Sequence, residues 1–297
     1  MRPAGGVVAA VLVAALGAGP ARGQEPAAAA GAVSPRAGGL EFVHALADVS
    51  YRRLESAAAE HTYHVYVRVP ADYDESDVRL PAVYLLDAGV TFPLIAGYQR
   101  YLESSEEVPK AILVGVSYGT NDWRQGNNRG HDFTAPSPER EHYGGAPDFQ
   151  RMLRDELIPW VERHFRADPG RRVIFGQSLG GQFVLYTAQT EPRLFWGHIA
   201  SNPALHRNLE FFLQPVAAVG DGGERSRLFV ASGAEDSPRF RRPALDWMAH
   251  WTAVEAPPWE LETVTLAGQT HFSAAPEAYR RGMAFFFPSP GEAQGAE

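Results

Sequence analysis

Short apolar runs alternate along this chain with segments whose apolar residues recur at helical spacing. Several runs share the length and continuous apolar character typical of strands buried on both faces of a parallel sheet. The clearest lie at 80–86 and 111–116, and further strands are predicted at 171–176, 195–201, 228–232 and 261–266. Helical spacing is found at 94–102, 149–165, 182–188 and 276–287. Residues 61–70 instead alternate apolar and polar positions, which predicts an antiparallel strand that Pro70 ends.

This order of elements predicts the fold class and the domain limits. Strands that alternate with helices favour an α/β fold with a doubly wound, mostly parallel sheet and right-handed crossovers. We expect a single domain over 41–287 without a large lid, and a loop at 87–92 after one of the strands. Residues 24–40 are rich in Ala, Gly and Pro and predict a disordered leader, and 288–297 predict a disordered tail.

The first residues, 1–23, have the pattern of a secretory signal peptide. Arg2 supplies the positive start, 7–18 form a short apolar run, and the small residues Ala21 and Gly23 precede a cleavage site. The run is too short to span a bilayer, so we expect no stable membrane anchor; a retained N-terminal anchor is the alternative. The pattern predicts export to the periplasm or to the extracellular medium.

Composition narrows the classes of function. The chain has no cysteine, which excludes thiol catalysis, disulfides and cysteine-based zinc sites. Its formal net charge is −8 and no basic cluster with interleaved aromatic residues stands out, so we expect no nucleic-acid partner. His61 and His64 lie on the predicted antiparallel strand with no third ligand nearby, so we expect no metal there. The sequence does not determine the oligomeric state.

The segment 176–180, Gly-Gln-Ser-Leu-Gly, follows a predicted strand and precedes a predicted helix. In this context G-x-S-x-G is typical of a nucleophile elbow, a strained turn that presents the serine above the edge of the sheet. Ser178 is therefore the expected nucleophile. The backbone N–H of Leu179 would point to the same place and provide half of an oxyanion hole. Gly176 and Gly180 are expected to leave room where the strand and the helix pass closely.

A second copy of the motif lies at 115–119, around Ser117. It also follows an apolar run, but the residues after it, 120–130, have the composition of turns and loops. Without a helix N-terminus behind it, Ser117 lacks the helix dipole that favours an oxyanion. The context of the two motifs therefore favours Ser178 over Ser117.

A nucleophilic serine needs a base, and the base needs a group that orients it. An elbow of this kind is followed along the chain first by the acid and then by the histidine. His271 fits because it lies between the last predicted strand and the last predicted helix. The segment after the strand at 228–232 carries two carboxylates, Glu235 and Asp236. Its Gly-x-acid spacing favours Glu235, with Asp236 as the alternative.

Two further loops are expected to contribute to the site. The loop after the strand at 80–86 should provide the second oxyanion donor, for which Gly89 is the candidate. The loop 120–145 is too long for a plain connection and follows a parallel strand at the edge where sites form. Its candidate substrate contacts, which a solvent-exposed loop face would explain equally well, are Trp123, Arg124, Arg129 and Tyr143.

Several blocks of the chain occur in an order shared with a known family. They lie at 84–87, 114–118, 132–136, 156–159, 175–181 and 268–272. In these blocks the chain resembles the putative esterase family of bacterial α/β-hydrolases, which includes the enterobactin-type siderophore esterases. The resemblance runs over 62–287 and implies carboxylic ester hydrolysis through an acyl-enzyme, with no metal or organic cofactor. It also favours Glu235 as the acid and places Ser117 at the end of a strand.

Two positions depart from the pattern of that family. Gln177 stands where relatives commonly carry histidine, and the segment 201–206, Ser-Asn-Pro-Ala-Leu-His, stands where they often carry Ser-Pro-Ser followed by aromatic residues. The main hypothesis is a secreted serine esterase that acts on siderophore esters or other small acyl esters. The alternatives are an acyltransferase that resolves the same acyl-enzyme with an alcohol, and a catalytically silent binding protein on the same fold.

Overall fold

The computed structural model describes residues 45–46, 49–122, 124–138, 140–216 and 224–288. The chain divides into two units, Met1–Gly38 and Gly39–Glu297, and every described residue belongs to the second. The predicted signal peptide, the leader and nearly all of the tail therefore lie outside the described residues. None of the helices in the described part is long and apolar enough to cross a bilayer.

A mixed sheet carries the functional site, and its described strands are bounded as follows. They are β1 Val49–Ser56, β2 His61–Arg68, β3 Leu80–Leu85, β4 Ile112–Ser117, β5 Ala167–Gln177, β6 Gly197–Ser201, β7 Arg227–Gly233 and β8 Glu260–Leu266. Their order across the sheet is β1-β2-β4-β3-β5-β6-β7-β8. β1, β2 and β4 pair antiparallel, and all pairs from β4 to β8 are parallel. The predicted doubly wound, mostly parallel sheet is confirmed.

Helices pack on both faces of this sheet. They are α1 Ala88–Ser104, α2 Arg129–Asp132, α3 Ala146–Met152, α4 Ile158–His164, α5 Leu179–Thr190, α6 Leu209–Phe212, α7 Pro238–Thr252 and α8 Ala274–Phe286. A π-helical turn, Leu153–Leu157, joins α3 to α4. The helix predicted at 149–165 is thus one continuous helical segment with a π turn in its middle.

Strand β3 shows why a strand buried on both faces appears in the sequence as a continuous apolar run. Successive side chains of a strand point to opposite faces of the sheet. Val83 and Leu85 pack into the core beneath α1 and α8, whereas Ala82 and Tyr84 pack into the core beneath α3, α5 and α7. All four side chains are fully buried. Because both faces are covered, no position of the strand has to be polar.

Two elements, α1 and β1, differ from the expectations. The loop expected at 87–92 is wrong, because α1 already begins at Ala88 and contains Pro93. Pro93 is the sixth residue of this 17-residue helix. Strand β1 was not predicted, since it lies at the edge of the sheet and its residues are largely polar; Tyr51 in it is 56% exposed.

The sheet also explains where the site forms. The carboxyl ends of parallel strands meet at one edge of a sheet, and ligands bind in the crevice outside that edge. Ser178 follows β5, Asp236 follows β7 and His271 follows β8. Helix α1 begins directly after β3, so its first turn lies at the same edge.

Candidate active site

Ser178 occupies a strained turn between β5 and α5. Its backbone has φ 60° and ψ −116°, a positive-φ conformation outside the left-handed helical region that a side-chain-bearing residue rarely adopts. Such a conformation costs on the order of 1–3 kcal/mol and persists only where the surroundings enforce it. Here the Ser178 N–H donates to the carbonyl of Ser201 at 3.0 Å, which ties the turn to the end of β6. This is the geometry that the sequence motif predicts for an elbow.

The glycines around Ser178 meet the expectation at Gly176 but not at Gly180. A Cβ at Gly176 would overlap the backbone carbonyl of Gly180, and a Cβ at Gly181 would lie 2.8 Å from the carbonyl of Ser201. At Gly180 the nearest atoms would be 3.5 Å away, which is ordinary van der Waals contact. The close approach of strand and helix therefore requires glycine at 176 and 181, and the expected need for space at Gly180 is corrected.

His271 and Asp236 form the central polar pair of the site. The imidazole Nδ1 lies 2.7 Å from Oδ2 of Asp236, and the two side chains are 12% and 2% exposed. A carboxylate can only accept, so Nδ1 donates and Nε2 is left as the proton acceptor. The other carboxylate oxygen, Oδ1, accepts the backbone N–H of Ser237 at 2.6 Å. Both oxygens of Asp236 are thus held, and they fix the orientation and tautomer of His271.

The preference for Glu235 as the acid is not supported by this geometry. The Glu235 N–H donates to the carbonyl of Gln269 at 2.8 Å, and its side chain is exposed. The next residue, Asp236, turns inward and meets His271. The two carboxylates are adjacent in sequence, so only the course of the backbone between β7 and α7 decides which one reaches the histidine.

Two helices begin at the site and supply backbone N–H groups. Leu179 is the first residue of α5 and Gly89 the second residue of α1, and the first N–H groups of a helix have no carbonyl partner within it. In α1 the N–H groups of Val90 and Thr91 both donate to the carbonyl of Asp87, so the donors still available lie before them. The positions of Leu179 and Gly89 fit the two donors of an oxyanion hole.

Ser117 lies near Ser178 without the geometry of an elbow. It ends β4, is buried, and its Oγ accepts the N–H of Gly119 at 3.3 Å. The positive φ of 73° in this copy of the motif is at Gly119, where glycine adopts it without strain. No helix begins at the residue after Ser117, so the second motif is a strand end followed by a turn.

A cavity of about 780 Å³ brings these groups together. Ser178, His271, Asp236 and Gly89 line it, and so does Arg129 among the candidate substrate contacts. Two other candidates, Arg124 and Tyr143, are not among the described residues that line the cavity; Arg124 is exposed and Tyr143 is half-buried. Trp123 lies outside the described residues.

Arg129 forms a two-pronged ion pair that the sequence analysis missed. Its Nε and Nη2 donate to Oδ1 and Oδ2 of Asp87 at 2.7 and 2.8 Å. Burial alone would lower the pKa of Arg129, but the charge and hydrogen bonds of Asp87 more than offset this and raise the pKa. Asp87 precedes α1 with φ 54°, a left-handed conformation that aspartate tolerates better than most residues. The pair therefore ties the long loop to the start of α1.

A buried carboxylate anchors the same loop. Asp132 accepts hydrogen bonds from the hydroxyls of Tyr63 at 2.7 Å and Tyr118 at 3.0 Å, and from Nδ2 of Asn128 at 2.8 Å. Burial and the nearby charge of Asp132 raise the pKa of both tyrosines, so they stay protonated donors. Because α2 spans Arg129–Asp132, this anchor also fixes the position of Arg129.

Two side-chain amides hold the backbone of the histidine loop. Asn202 donates to the carbonyl of His271 at 3.0 Å, and Gln177 donates to the same oxygen. In the sequence, Gln177 and the segment that contains Asn202 stand out only as departures from the resembled family. An asparagine directly after a buried strand is the signal that could have singled out Asn202, because asparagine is enriched at left-handed backbone positions. The structure places it at such a position, with φ 41°.

A strained serine after a parallel strand, beside a histidine that a buried carboxylate orients, places the protein among the serine hydrolases of the α/β-hydrolase fold. The family model described as "Putative esterase" matches residues 56–268, and the chain belongs to this family of serine esterases.

Similar proteins agree with this assignment. The chain is 28% identical over 269 residues to the ferri-bacillibactin esterase BesA of Bacillus subtilis, an alignment that covers 84% of this chain and 92% of that protein. An IroE-like serine hydrolase from Shewanella oneidensis matches with a TM-score of 0.69 and 24% identity, and 80% of each chain is covered. The BES protein from Bacillus cereus matches with a TM-score of 0.67 and 22% identity, over 80% of this chain and 94% of that one. At these identities the two structures show the shared fold.

Proposed function

We propose that this esterase hydrolyses ester bonds of siderophores, with Ser178, His271 and Asp236 as its catalytic triad. The observation that carries the proposal is the 2.7 Å pair of His271 and Asp236 in the same cavity as the strained Ser178. Esterases that act on siderophores are found among its relatives, as the name of the siderophore enterobactin esterase of Emericella nidulans states.

The chemistry follows from the orientation of the histidine. Nε2 of His271 takes the hydroxyl proton of Ser178 while Oγ attacks the ester carbonyl carbon. The N–H groups of Leu179 and Gly89 stabilise the oxyanion that forms. The bond to the alcohol oxygen then breaks, the proton passes from Nε2 to that oxygen, and an acyl-enzyme remains. Water attacks the acyl-enzyme in the same way, which releases the carboxylic acid and restores Ser178.

The shape and lining of the cavity support a substrate with aromatic groups. Its volume of about 780 Å³ suits a small-molecule ligand. The ring of Phe240 lies 4.7 Å and that of Phe272 5.3 Å from the His271 ring, measured between centroids, and both phenylalanines line the cavity. Phe272 is 83% exposed, which leaves its face available to a ligand ring. These rings fit an ester whose acyl part is aromatic.

Labelling with a fluorophosphonate tests the catalytic assignment. Mass spectrometry should locate the adduct on the peptide that contains Ser178, and Ser178→Ala or His271→Ala should abolish it. Ser117→Ala serves as the matched control and should keep the label. An adduct on Ser117, or no adduct on folded protein, would overturn the assignment.

A comparison of substrates tests the substrate class separately. We expect kcat/KM to be highest for catechol-type siderophore esters and lower for short-chain p-nitrophenyl esters and feruloyl sugars. Phe272→Ala should raise KM for aryl esters and leave KM for acetyl esters nearly unchanged. Faster turnover of the short acyl esters would refute the siderophore proposal and leave the triad intact.

We propose further that the enzyme acts after export. The support is the signal-peptide pattern of residues 1–23 in the sequence. The mature protein, isolated from the compartment outside the inner membrane, should begin at Gln24 when its N-terminus is sequenced. Retention of intact protein in the cytoplasm would contradict this.

A further inference from the structure

The end of β6 touches all three catalytic segments. The carbonyl of Ser201 accepts the N–H of the nucleophile, Ser178, at 3.0 Å. The next residue, Asn202, donates its backbone N–H to the carbonyl of Ala231 in β7 at 2.8 Å. Its side chain then reaches in two directions, towards the segment that carries the acid and towards the loop that carries the base.

The side-chain amide of Asn202 bridges these two segments. Its Nδ2 donates to the carbonyl of His271 at 3.0 Å, and its Oδ1 accepts the N–H of Gly233 at 2.6 Å. A carbonyl can only accept and an N–H can only donate, so the orientation of the amide is fixed by chemistry. The residue is 2% exposed, so water competes little for either hydrogen bond.

Gln177 completes the arrangement from the nucleophile side. It directly precedes Ser178, and its Nε2 donates to the same carbonyl oxygen of His271. The backbone of the base is therefore held by one amide from the nucleophile elbow and by another that also holds the acid segment. Gln177, and the segment 201–206 that contains Asn202, are the two departures from the resembled family noted in the sequence, and the two amides donate to a single atom.

We propose that Asn202 is a positioning residue of the esterase, which sets the distance and angle between His271 and Asp236 by fixing the backbones that carry them. Gln177 donates the second hydrogen bond to the same carbonyl of His271. This inference rests on the proposed function, since it concerns the same triad. Asn202 is not among the described residues that line the cavity, whereas Gln177 is, so Asn202 acts on catalysis through His271.

Two substitutions separate positioning from plain stability. Asn202→Asp keeps an acceptor for Gly233 but cannot donate to the His271 carbonyl. Asn202→Gly removes the amide and suits the left-handed φ of 41°, so it adds no backbone strain. The matched control is Asn208→Asp. Asn208 is also buried, at 8% exposure, and its amide accepts from Gln182 at 3.1 Å and donates to Ala135 at 3.5 Å.

The measurements are steady-state hydrolysis, urea unfolding and the low-field proton resonance of the His271 Nδ1–H. For Asn202→Asp and Asn202→Gly we expect kcat to fall about 10- to 100-fold with little change in KM, since a displaced base affects the reaction more than binding. The low-field resonance should broaden or shift in both. Asn208→Asp should lower stability by a similar amount but keep kcat within about twofold and keep the resonance. Adding Gln177→Met to Asn202→Gly should reduce kcat by more than the product of the two single effects.

The outcomes distinguish this inference from the proposed function. If both Asn202 variants keep the kcat and the resonance of the control, Asn202 is only structural and the inference is overturned, whereas labelling of wild-type Ser178 would still support the triad. If wild-type protein neither labels nor hydrolyses esters, the proposed function fails. The proton resonance still reports in that case whether Asn202 positions His271 against Asp236.

Discussion

Replacing Asp236 by asparagine should inactivate the enzyme through the wrong tautomer of His271 rather than through lost structure. The Ser237 N–H donates to Oδ1 of Asp236 at 2.6 Å. In the variant this N–H keeps an oxygen at the Oδ1 position, so the new NH₂ group takes the Oδ2 position that faces Nδ1 of His271. Two donors cannot face each other, and the imidazole must move its proton to Nε2. The nitrogen that should accept the Ser178 proton is then blocked.

The magnitude follows from the general behaviour of triads. Such a change of tautomer lowers kcat about 10⁴-fold, which corresponds to about 5 kcal/mol in the activation free energy. The effect on folding should be small, because the substitution preserves shape and Asp236 keeps its bond to Ser237. KM should change little, since neither oxygen of Asp236 is expected to bind the substrate.

The assay compares Asp236→Asn with Glu235→Gln on one ester substrate, together with urea unfolding and fluorophosphonate labelling. Glu235→Gln is the matched control, because it removes the neighbouring carboxylate, which is exposed, and should keep kcat within about twofold. A large loss in Glu235→Gln with near-normal Asp236→Asn would refute the reasoning. It would show that the loop reaches a different arrangement during catalysis.

Three further predictions concern the fold around the site. Gly176→Ala should lower the free energy of unfolding by about 3 kcal/mol or more, because the new Cβ meets backbone; urea unfolding should show Gly180→Ala close to wild type, and equal losses would contradict this. Asp87→Asn removes the charge of the Asp87–Arg129 pair and Arg129→Lys removes its two-pronged geometry, so each should destabilise by about 1 kcal/mol, and the double variant by less than their sum because both disrupt the same interaction; strict additivity would argue against it. Burial lowers the pKa of His198 to about 3, so the unfolded chain binds the extra proton below pH 6.5 and stability falls as the pH falls. Between pH 7 and pH 5 wild type should lose about 2 kcal/mol more than His198→Leu, and parallel urea-unfolding curves against pH would disprove the assignment.

The sequence was sufficient for the features that depend on local chemistry. Continuous apolar runs predict strands buried on both faces, and β3 from Ala82 onwards and the 173–176 part of β5 are buried in this way. The context of the motif at 176–180 separates Ser178 from Ser117, because a helix follows only the first. His271 was located by its place between the last strand and the last helix. These predictions depend on local apolar patterns or on the order of elements along the chain, and packing alters neither.

Other predictions failed or were absent because they depend on distant segments. Glu235 and Asp236 share one local pattern, and a hydrogen bond from the Glu235 backbone to Gln269 turns the second carboxylate inward. No spacing connects Asp87 with Arg129, which lies on a separate loop.

What the sequence by itself determined is therefore the sheet and the places of Ser178 and His271 along the chain, since periodicity and turn chemistry are local. Only the tertiary structure decided which carboxylate meets His271, which residues pair as Asp87 and Arg129 do, and where Asn202 lies between His271 and Gly233. These depend on where side chains point once the carboxyl ends of several strands meet at one edge. A hydrogen bond needs atoms within about 3 Å, and segments far apart in the chain reach that distance only when the sheet has assembled.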